Sequence, residues 1–274
     1  MVPPRVNSYE TDVVEVGVIR AQQARTDRWR PAPGGVSIAH YQVTAGTLGA
    51  VVRDRATGQR LILSNNHVIA NSNDAQIGDP ILQPGPIDGG TQPGDVIAYL
   101  ERFVSIGFQV APGECQVASA YAMVGNFIAR LVGSSHRVAP FKTAFQAVNE
   151  VDAAVARPIS DSDVLDEILE IGTVTGTVQA TLGMPVMKSG RTTGFTTGTI
   201  TVLDATVEVS YGFGRVAQFE NQIVSTPMSQ GGDSGSLLVD ADSRRAVGLL
   251  FAGSSQATVF NPIQTVLDAL GVTI

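Results

Sequence analysis

The sequence predicts an all-β protein with two β-rich halves and a short final helix. Short apolar runs alternate with turn-forming residues along most of the chain, as in proteins built from many short strands. The 29 glycines and 14 prolines are distributed along the sequence, which fits frequent turns. Hydrophobic residues make up 43% of the 274 residues and charged residues 16%, which excludes a disordered chain.

The first half contains one clear hairpin pattern. The runs TLGAVVRD and QRLILSNN flank the turn Arg55-Ala56-Thr57-Gly58 and predict two antiparallel strands. An alternating pattern at residues 12–18 predicts an earlier strand. Residues 71–95 are rich in Gly, Pro, Asn and Asp, which predicts a long loop with one short strand at Pro80–Gln83.

Two segments have a helical pattern. Apolar residues recur at helical spacing over residues 116–132, and Gly133 follows as a C-cap. We expect this helix to pack against the β framework; a regulatory role or a contact in a homo-oligomer is the alternative. The stretch SDVLDEILE predicts a second, short helix at 162–170.

The second half, from residue 173, predicts a small closed or nearly closed antiparallel barrel. Its six apolar runs are TVTGTVQA, MPVMKSG, GTITVLDATVEVSYG, VAQFENQIVST, SGSLLVD and AVGLLFAG. NPIQTVLDALG predicts a final helix, with Pro262 at its first position and Gly271 at its C-cap. The predicted units are residues 1–158, a linker at 159–172, and residues 173–274.

Composition excludes several classes of function. The net charge is −7 and no cluster of Lys and Arg is present, so nucleic acid is not an expected partner. No apolar run approaches the ~18 residues of a membrane span. Cys115 is the single cysteine and MVPPRVNSYE lacks the apolar segment of a signal peptide, so we expect a cytoplasmic protein. NSNDAQIGD lacks calcium-loop spacing, and neither a metal nor a cofactor is expected.

The segment GGDSGS at residues 231–236 suggests a nucleophilic serine in a glycine-rich turn. Such a serine needs a base and a group that orients the base. His40, His67 and His136 are the three histidines, and all precede Ser234. This excludes the Ser, acid, His order of α/β-hydrolases and leaves the order His, Asp, Ser open.

His67 and Asp152 are the candidate partners of this serine. His67 follows a hairpin strand in LILSNNHVIA, and Asp152 begins the apolar run DAAVARP. An acid at the start of an apolar run is unusual unless it has a buried partner, which His67 would be. Asn149 or Glu150 is the alternative partner of His67. The N–H groups of Gly232 and Ser234 would form an oxyanion hole if the turn is tight.

These motifs resemble a known family. GGDSGS resembles the nucleophile turn of chymotrypsin-fold serine proteases, NNHV their histidine motif, especially in the HtrA branch, and DAAV their aspartate motif. KSGRTTGFTTGTI resembles a stretch of bacterial α-lytic-type proteases. GTLGAVVRD, LSNNHVIA, GDPILQPGPIDGG and GRTTGFTTGTI are similar to the narrow-leaf-type trypsin-like proteins of bacteria and plants. The resemblance covers about residues 12–270.

The resemblance implies a fold and a set of catalytic roles. The fold would be two antiparallel six-stranded β-barrels of the chymotrypsin type, followed by the C-terminal helix. The chain departs from the family at about 105–147, where an insertion that includes the predicted helix enlarges the gap between His67 and Asp152. His67 would be the general base, Asp152 its orienting acid and Ser234 the nucleophile. Gly232 and Ser234 would supply the oxyanion N–H groups.

The resemblance also places the substrate. By position, Met228 falls at the base of the primary specificity pocket, although a plain core role is the alternative. The strand that pairs with the substrate backbone would contain Phe251, Ala252 and Gly253. Phe251 stands where many relatives have a serine that supports the aspartate, which leaves that support undefined.

The acid beside the nucleophile also needs a partner. The resemblance pairs Asp233 with Lys188, and Arg191 is a neighbour that could substitute; a solvated lysine is the alternative. The expected function is a serine endopeptidase that acts on proteins or peptides and prefers small or aliphatic residues before the cut. The alternative is a latent or non-catalytic protease fold that serves as a peptide-binding or assembly module.

Overall fold

The computed structural model describes residues 5–6, 9–10, 23–108, 116–131, 133–134, 148–212 and 215–274. The strand predicted at 12–18 lies outside these residues, as do His136 and Cys115. Strands β1 (Arg5–Val6) and β2 (Tyr9–Glu10) form a small antiparallel pair. No helix among the described residues is long and apolar enough to cross a membrane.

The first half supplies eight further strands, and the predicted hairpin is among them. In chain order they are β3 (Ala32–Gly34), β4 (Ser37–His40), β5 (Gly46–Thr47), β6 (Ala50–Asp54), β7 (Arg60–Ser64), β8 (Pro80–Leu82), β9 (Val96–Phe103) and β10 (Ala154–Pro158). Gly58, with φ of 72°, turns the chain between β6 and β7, as the sequence predicts. The short strand expected in the long loop is β8.

The joining segment corrects one prediction. The helix predicted at 162–170 is wrong: a single 3₁₀ turn at Asp161–Asp163 leads into strand β11 (Val164–Ile168). β11 pairs in parallel with β3 and antiparallel with β12 (Gly172–Thr173). Val164 and Ile168 are buried, so pairing with a distant strand outweighs the local helical pattern.

The second half is a closed barrel of six strands. They are β13 (Pro185–Gly190), β14 (Gly194–Ser210), β15 (Val216–Ser225), β16 (Leu237–Asp240), β17 (Ala246–Gly253) and β18 (Thr258–Pro262), in the barrel order β13-β14-β15-β18-β17-β16. The barrel is confirmed, but its membership differs from the prediction. TVTGTVQA begins in β12 at Thr173, bends at Gly176 and makes one bridge to the barrel, between Thr177 and Ala246. TVFNP instead forms the sixth strand.

Three α-helices accompany the strands in the described part of the chain. They are α1 (Asn66–Ile69), α2 (Gln116–Leu131) and α3 (Ile263–Leu270). Pro262 is the N-cap of α3, one position earlier than predicted, and Gly271 is its left-handed C-cap. The predicted packing of α2 is wrong, because most of its apolar side chains are exposed in the described part of the chain: Val117, Tyr121, Met123, Val124, Phe127 and Ile128.

The last strand, β19 (Val272–Thr273), returns to the first half. The first sheet therefore has the order β19-β6-β7-β10-β9-β8-β4-β5. Six central strands match the predicted barrel, and the two-residue strands β5 and β19 extend its edges. One core joins the halves, since Leu61 and Leu63 of the first sheet share a cluster with Leu237 and Leu249 of the barrel.

Candidate active site

The histidine and the aspartate leave neighbouring strands at the same place. His67 lies in α1 just after β7, and Asp152 lies just before β10. The antiparallel register sets Ser64 opposite Ala154 and so brings the two strand ends together. His67 Nδ1 lies 2.6 Å from Asp152 Oδ2, and the His67 backbone N–H donates to Asp152 Oδ1 at 3.2 Å. The structure thus places the predicted pair in direct contact.

The backbone around Asp152 is fixed by two asparagines. Asn65 Nδ2 donates to the Asp152 carbonyl at 2.6 Å, and the Asp152 N–H donates to Asn261 Oδ1 at 2.9 Å. Asn149, an alternative from the sequence, instead accepts from the Gly107 N–H at 2.7 Å and bridges two segments of backbone.

One further group reaches the aspartate and was not predicted from the sequence. The Tyr211 hydroxyl donates to Asp152 Oδ2 at 2.8 Å. Its ring also meets the His67 ring edge-on, with centroids 5.7 Å apart. The sequence signal for a donor such as Tyr211 is Phe251, because this residue supplies no hydroxyl to the aspartate. A buried carboxylate then needs a donor from elsewhere in the chain.

Ser234 lies in the turn that precedes β16, and two glycines shape this turn. Gly232 has φ of 97° and Gly235 has φ of 96°, conformations that favour glycine. A Cβ on Gly235 would lie 2.3 Å from both Ser64 Oγ and the Thr47 carbonyl oxygen, so the turn packs against the first half without space for a side chain.

Thr47 of β5 links this turn to the first half. Its N–H donates to the Ser234 carbonyl at 2.8 Å, and its hydroxyl donates to the Gly232 carbonyl at 2.9 Å. In the part of the chain that the structure describes, the N–H groups of Gly232 and Ser234 donate to no protein acceptor. They are thus available to bind a developing negative charge, as an oxyanion hole requires.

His67 and Ser234 line the same cleft between the halves. The cleft has a volume of about 1120 Å³, and the residues on its walls include Tyr211, Met228 and Phe251. His67 retains 21% side-chain exposure, whereas Asp152 has none, so the histidine separates the buried acid from the open cleft. Among the described contacts, no hydrogen bond joins Ser234 Oγ to His67.

Asp233 and Lys188 form a buried ion pair beneath the nucleophile turn. Lys188 Nζ lies 3.3 Å from Asp233 Oδ2, and neither side chain is exposed. Asp233 also accepts from the Thr193 hydroxyl at 2.6 Å and from the Thr192 N–H at 2.8 Å. The structure therefore brings together the pair that the sequence suggested, and Lys188 is not a solvated lysine.

The electrostatics of this pair follow from its surroundings. Burial alone would raise the pKa of Asp233, but hydrogen bonds from Thr193 and Gln230 and the charge of Lys188 outweigh it and hold that pKa below its usual value. Burial lowers the pKa of Lys188, and the charge of Asp233 opposes this. Asp233 is thus ionised in the folded protein at neutral pH.

Arg191 has a different partner from the one suggested. Its Nε lies 2.8 Å from Asp88 Oδ2 and its second nitrogen binds Asp88 Oδ1, so its side chain does not take the place of Lys188 beside Asp233. The reason is that Lys188 already occupies that buried position. The Arg191 N–H donates to the Thr47 hydroxyl at 3.0 Å, and the Arg191 side chain lies beside Gly232 of the turn.

The expected pocket residues all line the cleft. Met228 is 5% exposed, packs into the barrel core and also lines the cleft. Phe251, Ala252 and Gly253 form the cleft end of β17. Phe251 is 3% exposed and packs on Phe219 with centroids 4.8 Å apart. Its side chain has no hydroxyl and so cannot donate a hydrogen bond to Asp152.

One family model matches most of the chain. The model of the Nal1 C-terminal domain matches residues 29–263, a range that includes both strand ends, the turn of Ser234 and all six strands of the barrel. The chain belongs to the Nal1 C-terminal domain family. This chain is also similar to streptogrisin-D of Streptomyces griseus, at 37% identity over 106 residues, which cover 37% of this chain and 26% of that protein. The chain thus spans about a quarter of that relative's length.

Solved structures show the fold of this Nal1 C-terminal domain protein. The Nocardiopsis protease NAPase matches with a TM-score of 0.55 at 19% identity, over 88% of this chain and 98% of that one. Thermobifida fusca protease A matches with a TM-score of 0.53 at 19% identity, over the same shares. The α-lytic protease homolog N4 matches with a TM-score of 0.54 at 16% identity, over 88% and 98%. The predicted chymotrypsin fold is confirmed.

Proposed function

We propose that this Nal1 C-terminal domain protein is a serine endopeptidase with His67, Asp152 and Ser234 as its triad. The observation that carries the proposal is the 2.6 Å contact of His67 Nδ1 with a fully buried Asp152, at the edge of a cleft that Ser234 also lines. A buried acid that orients a partly exposed imidazole, in a cleft that a serine also lines, matches the requirements for nucleophilic activation.

The reaction would proceed through an acyl-enzyme. Ser234 Oγ attacks the scissile carbonyl carbon while His67 Nε2 takes the hydroxyl proton. Asp152 stabilises the imidazolium, and the N–H groups of Gly232 and Ser234 bind the oxyanion. The imidazolium then protonates the amine that leaves, and a water molecule, deprotonated by His67, hydrolyses the acyl-enzyme and regenerates the serine.

The lack of a described hydrogen bond between Ser234 and His67 is compatible with this reaction. Catalytic hydrogen bonds in unliganded enzymes are often long and shorten only in the substrate complex. Thr47 fixes the carbonyls of Gly232 and Ser234, so the turn around Ser234 Oγ is already held from the first half.

The substrate class follows from the cleft. Its volume and its open strand end at Phe251, Ala252 and Gly253 suit an extended peptide. Met228 presents a thioether rather than a carboxylate at the expected pocket base, so a basic residue before the cut would have no partner. We propose a protein or peptide substrate with a small or aliphatic residue at that position.

Labelling with a fluorophosphonate probe tests this proposal. Wild type is expected to label at Ser234, while Ser234→Ala and His67→Ala are expected not to label. A peptide library would then give the preferred residue before the cut. Absence of labelling in correctly folded wild type would contradict the activity and favour the rival interpretation, a latent peptide-binding module. A profile dominated by Arg or Lys would contradict the pocket assignment alone.

A further inference from the structure

The β14–β15 hairpin extends from the second barrel across to the buried side of the candidate triad. Tyr211 follows β14 directly. Its N–H donates to the Arg215 carbonyl at 2.9 Å and so closes the turn of the hairpin. The tip of this hairpin is attached to the first half, because Arg215 forms an ion pair with Asp74 at 2.8 Å. Arg215 also lies over the Phe108 ring, 5.4 Å from its centroid.

The Tyr211 side chain is enclosed by aromatic rings. Its centroid lies 5.3 Å from that of Phe108 and 6.3 Å from that of Phe219, and the His67 ring meets it on the cleft side. With the ring held in this way, the Tyr211 hydroxyl lies 2.8 Å from Asp152 Oδ2. Packing therefore directs the phenol at the carboxylate.

The Tyr211 hydroxyl binds the same oxygen of Asp152 that contacts the imidazole of His67. Asp152 Oδ1 accepts from the His67 backbone, whereas Oδ2 accepts both from His67 Nδ1 and from Tyr211. The Tyr211 donor thus shares the oxygen that orients the imidazole. Any rotation of the carboxylate that weakens the contact with His67 also breaks the bond to Tyr211.

We propose that Tyr211 is a positioning residue that holds the Asp152 carboxylate against His67, in the place left without a hydroxyl by Phe251. The inference rests on the proposed function for its effect on rate, but not for its effect on the His67–Asp152 contact. Burial, and then the negative charge of Asp152, raise the pKa of Tyr211 far above its ordinary value. The phenol therefore remains protonated, and able to donate, at neutral pH.

Removal of this donor weakens the orientation of the carboxylate. Asp152 loses one of its three donors, so the imidazole of His67 is held less well. We expect this to lower kcat more than it changes KM.

The test is the variant Tyr211→Phe, which retains the ring packing, beside Tyr99→Phe, a change at an exposed tyrosine of β9. We expect Tyr211→Phe to lower the rate of fluorophosphonate labelling by about ten- to a hundredfold, the range of a hydrogen bond to a charged group. Tyr99→Phe should label at the wild-type rate. Equal labelling rates in the two variants would overturn the proposal.

A second readout does not depend on activity. The proton on His67 Nδ1 gives a low-field NMR signal in wild type when it is shared with Asp152. In Tyr211→Phe this signal should shift or disappear, and in Tyr99→Phe it should stay in place. A signal unchanged in Tyr211→Phe refutes the positioning role, even if wild type does not label and the proposed activity itself fails.

Discussion

Lys188 Nζ lies 3.3 Å from Asp233 Oδ2 with both side chains fully buried, directly beneath the serine of the nucleophile turn. Removal of one partner would leave an unpaired charge in the protein interior. We expect Lys188→Met to lower the free energy of unfolding by about 3–5 kcal/mol. Urea unfolding measures this, with Arg53→Met, at an exposed position of β6, as the matched control. Equal losses in the two variants would contradict the importance of the pair.

The same pair predicts a dependence of stability on pH. Because the folded-state pKa of Asp233 is lower than its ordinary value, its contribution is fully present above the unfolded pKa of about 4 and is lost as the pH falls through the folded pKa. Urea unfolding at several pH values should show wild type losing stability in acid more steeply than Asp233→Asn. Parallel curves for the two proteins would be the opposite result.

Gly235 is expected to tolerate no side chain. In Gly235→Ala the new Cβ would collide with Ser64 and Thr47, in addition to the strain of a positive φ, which costs about 1–3 kcal/mol alone. Gly58→Ala is the control, since Gly58 also has positive φ but nothing lies within 4 Å of its Cβ position. Gly235→Ala should therefore lose more stability and most fluorophosphonate labelling, whereas Gly58→Ala should keep its labelling. Similar behaviour of both variants would exclude the steric explanation.

Met228 should control which residue precedes the cut. Met228→Ala would enlarge the pocket, so library profiling should shift the preference from small or aliphatic residues to larger ones. The change also removes core contacts, at a cost of about 2–5 kcal/mol measured by urea unfolding. An unchanged profile in a folded variant would mean that Met228 acts in the core alone.

The sequence predicted those features that depend on local pattern and motif. The β6–β7 hairpin has its turn residues in place, and the motif order predicted the contact of His67 with Asp152. The helix expected at 162–170 became β11 because β3, more than a hundred residues earlier, offers it a parallel partner. The contact of Tyr211 with Asp152 has no local sequence pattern for a similar reason, because the long β14–β15 hairpin brings the hydroxyl to an acid 59 positions away.

Strand β19 has a consequence for the order of events during synthesis. It pairs with β6, and α3 places Val266, Leu267 and Leu270 in the core that β7 and β10 also line. The sheet that presents His67 and Asp152 is therefore incomplete until residues 263–273 have left the ribosome. Such contacts between distant parts of a chain slow folding and tie its halves into one cooperative unit. A nascent chain that already contains Ser234 would still lack the complete first sheet, which forms the other side of the cleft.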